Sequence, residues 1–207
     1  MSGRIMLGAS GLTGTSRKAS KVAGRVLART QFGNPILQAK TRRLSVEEIK
    51  SAQIQQLIKN IRHTLKSKKL GVGLAAPQVG ESVALSVIDF EPKAHRPDLD
   101  PFSQVIINPE VVEGLGKKEA MWEGCLSFGA ANSPVFAKAM RYKKIHVRFH
   151  DEKGELHDEK LSGFAAHVFQ HETDHLNGIL FPTRVEDHST WMNASEYRKR
   201  IVAKRKK

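Results

Sequence analysis

A single cysteine, Cys125, stands in the 207-residue chain. One thiol excludes an internal disulfide framework. It leaves a small buried hydrophobe, a reactive thiol or a metal ligand. A reducing compartment fits that usage. No acidic residue precedes Glu47, although Arg4, Arg17, Lys18, Lys21, Arg25 and Arg29 do. No apolar run approaches the ~18 residues of a membrane-spanning helix, so no membrane partner is expected. The stretch "RIMLGASGLTG" is too short and glycine-rich for a secretory signal. No internal repeat is present. The glycine-rich stretch "GVGLAAPQVG" (71–80) is not followed by Lys-Ser or Lys-Thr, and the pattern G-x-G-x-x-G does not occur, which argues against a nucleotide loop.

What is present suits one globular domain with a sizeable core: 40% of the residues are apolar. The formal net charge is +13. It gathers at the two ends, around a mixed middle. Two basic ends suggest a polyanion near the working site; solvated, solubilising tails are the plainer reading. Residues 1–30 read as a basic, flexible extension. An organelle transit peptide or a nucleic-acid-facing arm has the same composition. Residues 31–190 read as the globular domain, the part that would carry any catalysis, and 191–207, ending "SEYRKRIVAKRKK", as a basic tail.

The stretch "LSVEEIKSAQIQQLIKNIRHTLKSKKLG" predicts one amphipathic helix. Ser45 and Glu48 form a capping-box pattern. Val46, Ile49, Gln53, Leu57, Ile61 and Leu65 follow a helical spacing, widened by Ile54 and Ile58. Gly71 is the expected stop. The runs 82–90 and 103–112 predict strands. In 143–150, Ile145, Val147 and Phe149 alternate with His146, Arg148 and His150, and 151–154 turns that strand into an antiparallel hairpin. A helix is expected from Ser162 or Gly163, stopping at Asn177-Gly178. Strands in runs followed by an internal helix give the class α+β, with antiparallel sheet wrapped around that helix.

The last helix carries the chemistry. His171 and His175 stand four apart, so both imidazoles share one face and can chelate one cation. Glu172 lies about 100° round the helix, free to handle protons. The plainer reading pairs the histidines with Asp174 or with backbone. A thiolate from Cys125, in "WEGCLS", would complete a three-ligand site with an open fourth position, which is a catalytic arrangement. Gln78 offers an amide donor for an oxyanion.

Three short motifs now stand in order: "GVGLAAPQ" (71–78), "EGCLS" (123–127) and "QHETDH" (170–175). Together with "GNPIL" (33–37) and "HLNGILF" (175–181) they make the chain resemble the peptide deformylases over roughly residues 31–185. The resemblance implies a metal-dependent hydrolase that removes the formyl group from the N-terminal formyl-methionine of new polypeptides. It implies Cys125, His171 and His175 as metal ligands and Glu172 as general base and then acid. Gln78 and the Leu126 N–H would be oxyanion donors. Gly73 and Gly124 would hold the peptide backbone, and Val72 would line the methionine pocket. The metal would be one divalent ion, Fe(II) in the native enzyme, with zinc, nickel or cobalt able to replace it. Where the family has a proline this chain has Gly129. The arginine that pairs with Glu123 has two candidates, Lys138 and Arg141. His167 stands near the pocket where the family has an aliphatic residue or arginine. Partners would be formyl-methionyl nascent chains and, through the basic tail, ribosomal RNA or protein. The place would be a bacterial cytoplasm, with mitochondrion or plastid as alternatives. Two rival readings are a zincin-type protease using Glu186 or His188 as third ligand, and a non-catalytic ribosome-binding protein of this shape.

Overall fold

Ser45 opens the first helix, α1 (Val46–Lys50), through the expected capping box: its hydroxyl accepts from the Glu48 N–H and the Glu48 carboxylate accepts from the Ser45 N–H. The helix then breaks. Ser51 is extended and caps a second helix, α2 (Ala52–Lys66), by accepting from the Ile54 N–H. The expected single helix is therefore two, and α2 stops at Ser67, short of Gly71. The break resets the helical phase, so Gln53 is exposed and the buried stripe runs Ile54, Ile58, Ile61, Leu65.

This computed structural model describes residues 23–68, 71–92, 99–130 and 133–203. Most of the expected basic extension, residues 1–22, lies outside the described residues, as do the last four lysine- and arginine-rich positions. One antiparallel sheet dominates. Its strands are β1 (Gly73–Ala75), β2 (Leu85–Phe90), β3 (Phe102–Ala130), β4 (Ser133–His150) and β5 (Leu156–Ser162), adjacent in that order, with β6 (Met192–Asn193) added to β4. The run at 103–112 is only the start of β3. It continues through the polar, glycine-containing stretch that followed, with register shifts between Ile107 and Glu110 and at three later points. Such bulges bend a strand and let one long ribbon serve two parts of a fold. The hairpin of β4 and β5 around residues 151–155 is as expected.

Strand alternation gives the sheet two apolar faces. On β2, Leu85 and Val87 pack with Ile54, Ile58 and Ile61 of α2. Ile88 and Phe90 pack on the opposite side, with Ile145, Phe149 and Phe169. Phe169 belongs to α3 (Gly163–Leu176), the helix expected from Ser162, which touches all five main strands. Each fully buried aliphatic side chain contributes about 1.5–3 kcal/mol of transfer free energy. The class is α+β, and α3 is its central, buried helix.

Both chain ends touch the body of the domain where they are described. The Arg25 and Leu27 N–H groups donate to Asn60 Oδ1 and Thr64 Oγ1 of α2 at 3.0 and 2.9 Å. At the other end, Trp191 packs with Phe128 and Phe181, and α4 (Ala194–Tyr197) buries Ala194 and Tyr197. Aromatic contacts pack Trp191 and Tyr197 against the domain, and the basic residues beyond them, Arg198, Lys199 and Arg200, are exposed.

Candidate metal centre

Near the end of β3, alternate side chains turn inward: Glu123, Cys125 and Ser127 are buried while Gly124 and Leu126 between them are not fully so. They face α3 and the short helical turn that follows β1. Cys125 Sγ lies 3.2 Å from His175 Nε2. The donor atoms of Cys125, His171 and His175 all fall within 4.8 Å of one another, and all three residues are buried. Among the described residues no other group of histidine, cysteine and carboxylate donors converges in this way. One soft thiolate and two imidazoles at this spacing fit a divalent transition metal with an open position. Glu186 and His188 lie outside the group, and His188 Nδ1 instead accepts from the Trp191 indole at 3.2 Å, which removes the protease-type third ligand.

The candidate ligands are oriented from behind. His171 Nδ1 meets Glu123 Oε1 at 2.6 Å, which turns its other ring nitrogen toward the site. Arg141, not Lys138, pairs with Glu123, with Nε at 3.0 Å and Nη2 at 2.8 Å. The Lys138 ammonium sits over the Trp122 ring. Parity could have chosen between them, because Arg141 is in phase with Ile145, Val147 and Phe149 along β4 and Lys138 is not. His167 Nε2 also reaches Glu123, at 2.7 Å. Burial acts to raise the Glu123 pKa, but the charges of His171 and Arg141 hold it well below the usual carboxylate range. Asp174 pairs with Arg141 at 2.5 Å and with Arg184 at 2.7 Å, so it serves the arginines and not the histidines. Burial, then the neighbouring His171, keep the His175 imidazole well below its ordinary pKa, in the neutral form that ligates.

A cavity of about 90 Å³ adjoins two of the three donors, Cys125 and His171. It is lined by Val72, Gly73, Gln78, Gly124, Leu126 and Glu172, among others, so every residue expected to serve the substrate reaches one space. Trp122, Phe136 and Phe164 add apolar walls that the sequence reading had not singled out. A larger hollow of about 520 Å³ lies elsewhere, against Lys40, Arg43 and Arg184, and includes none of the three donors. Gln78 is held by its own loop: Oε1 accepts from the Ala75 N–H at 2.8 Å, which points Nε2 toward Ser127 Oγ at 3.1 Å and Cys125 Sγ at 3.5 Å. Glu172 is buried, and burial pushes its pKa up to about 7, with His171 opposing the rise. Among the described residues its Oε2 has no hydrogen-bond partner. A carboxyl group titrating near neutrality and left unpaired in a cavity is suited to proton transfer. A Cβ at Gly73 would stand 2.2 Å from Glu172 Oε1, so only glycine leaves that carboxylate room.

Comparison with known proteins places this geometry. A family model described as polypeptide deformylase matches residues 27–191. The protein named peptide deformylase 2 of a Nostoc species is 37% identical over 175 residues, covering 83% of this chain and 93% of that protein. The peptide deformylase of Aquifex aeolicus is 37% identical over 174 residues, covering 84% of this chain and 96% of its own. A solved structure of a class I type b peptide deformylase from Acinetobacter baumannii, bound to Met-Ala-Ser, is similar with a TM-score of 0.71 and 32% identity, covering 77% of this chain and 98% of that one.

Proposed function

The chain belongs to the polypeptide deformylase family, and from that premise we propose how its residues divide the work. The enzyme is a hydrolase that removes the formyl group from new polypeptides and releases formate. One observation carries the residue assignment: Cys125, His171 and His175 converge while Glu172 enters the adjoining cavity.

Cys125, His171 and His175 would hold one divalent metal. When bound, the ion would act as a Lewis acid and bring the pKa of water down to about 7. Glu172 takes the proton of the attacking water and later delivers it to the amine nitrogen as the C–N bond breaks. Gln78 Nε2 and the Leu126 N–H donate to the oxygen that gains charge. Gly73 and Gly124, which carry no side chain, let the substrate backbone come close. Val72 borders the methionine side chain, with Phe164 across the same cavity. The Met-Ala-Ser of the A. baumannii structure is the kind of product these walls would fit.

Fe(II) is the proposed native metal, with zinc, nickel or cobalt as replacements; a mixed sulfur and nitrogen donor set accepts each of them. The exposed Arg198, Lys199 and Arg200 are proposed to dock on ribosomal RNA or protein, and the bacterial cytoplasm is the proposed place of action. No helix among the described residues is long and apolar enough to cross a membrane.

The test is an anaerobic preparation assayed for metal content and formate release on one sample. Wild type is expected to carry one metal per chain and to release formate from a formyl-methionyl peptide. Cys125→Ser is expected to lose most of the metal, and Glu186→Ala and His188→Ala to keep it. A metal-loaded wild type that releases no formate would sink the reading.

A further inference from the structure

Residues 29–32 run as a strap across two segments far apart in sequence. Thr30 donates through its N–H to the Gln78 carbonyl at 2.9 Å and through its hydroxyl to the Pro77 carbonyl at 2.7 Å. The Phe32 N–H donates to the Ser127 carbonyl at 2.8 Å. Arg29 Nη1 and Gln31 Nε2 both donate to the Leu126 carbonyl, at 2.7 and 3.3 Å. The strap therefore ties the loop that bears Gln78 to the strand that bears Cys125 and Leu126.

The peptide between Leu126 and Ser127 has two engaged ends. Its carbonyl accepts the charged Arg29 donor. Its N–H, that of Ser127, donates to Cys125 Sγ at 3.4 Å. A guanidinium on a carbonyl draws electron density through the amide and makes the N–H a stronger donor. That stronger N–H in turn withdraws charge from the sulfur.

We propose that Arg29 is a positioning residue of the metal centre: through the Leu126–Ser127 peptide it sets the charge on the Cys125 sulfur and keeps Leu126 in place opposite Gln78. This rests on Cys125 being a ligand, as assigned above. Outer partners of metal ligands are commonly worth about 10- to 100-fold in metal affinity or activity.

The experiment uses the full-length protein loaded with cobalt(II), whose thiolate-to-metal charge-transfer band reports the electron richness of the sulfur. Arg29→Gln is expected to move that band to lower energy and to lower kcat on the order of tenfold with KM for a short formyl-methionyl peptide unchanged. Arg29→Lys keeps a charged donor without the planar fork and is expected to fall between wild type and Arg29→Gln in band position and kcat. A folded, cobalt-loaded Arg29→Gln with the wild-type band and kcat overturns the proposal. Where Arg29→Gln fails to fold, Arg29→Lys decides: a partial shift to lower energy supports the proposal and an unmoved band overturns it. A wild-type protein that holds one cobalt per chain without any thiolate band overturns the ligand assignment instead, and with it this proposal.

Discussion

Arg141 grips both carboxylate oxygens of Glu123, and Glu123 passes the contact on to His171 Nδ1. The three residues come from two strands and a helix, yet they form one buried chain that ends at the candidate metal site. Replacing Arg141 by leucine would leave the Glu123 charge buried with its guanidinium partner gone. The expected cost is about 3–5 kcal/mol of folding stability, read as a lower urea midpoint. Metal content should fall as well, because His171 loses its fixed orientation. Lys138→Ala, on the same strand but out of phase, is expected to change neither. A stable, fully loaded Arg141→Leu would refute the view that this arginine secures the ligand.

Gly73 and Glu172 form a second test. The atom closest to an added Cβ at Gly73 is the end of the Glu172 side chain, which can swing away without unfolding the sheet. Gly73→Ala should therefore fold and bind metal while kcat falls by about 10²-fold or more, the usual worth of a placed proton-transfer group. Circular dichroism together with formate release checks this. Wild-type turnover in that variant would show that Glu172 does not need its present position.

The carboxy-terminal segment has a sharp internal boundary. Tyr197 is 5% exposed and stacks on Phe136 with ring centroids 4.0 Å apart. Phe136 and Trp122, which Tyr197 also meets edge-on, line the cavity. Tyr197→Ala should cost about 3 kcal/mol and raise KM, since it removes the support of that wall. Truncation after Tyr197, which removes Arg198, Lys199 and Arg200, should leave free-peptide turnover intact while weakening ribosome pelleting at low salt. Equal pelleting with and without those last residues would remove the docking idea.

The hairpin between β4 and β5 supplies a pH prediction. Burial raises the Asp151 pKa, but N–H groups of Glu155 and Lys153, with His157 beside them, lower it further, so the net shift is downward. A carboxylate with a depressed folded-state pKa contributes stability above its unfolded value and loses that contribution as pH falls through the folded value. The stability gap between wild type and Asp151→Asn should be full near neutral pH and close as the pH drops below about 3.8, the unperturbed value. Urea midpoints measured across that range check it; a gap independent of pH would contradict the assignment.

Local stereochemistry explains what could be read directly from the chain. The i, i+4 spacing of His171 and His175, the capping box at Ser45 and Glu48, and the alternation of Ile145, Val147 and Phe149 depend on neighbours a few residues away. Each took its expected form. Cys125 stands out as the lone cysteine, Gln78 as an amide donor in a glycine-rich loop and Glu172 by its place beside His171, with the family resemblance implying their roles, and all three border one cavity. The full length of β3 was not visible, because its second half is polar and its bulges interrupt alternation. The helix break at Ser51 was hidden too, since a serine reads equally well inside a helix or as a cap.

What no local pattern reveals is which distant group pairs with which. Arg141 reaches Glu123 across a sequence separation of 18 and Asp174 across 33, while Arg29 reaches the Leu126 carbonyl across 97. Those pairings follow from how β3 bends and how the strap crosses it. The chain alone specifies donors, periodicities and charge, because each is a property of residues close in sequence. Packing selects partners, because a buried charge must find its counterion wherever the folded backbone brings one.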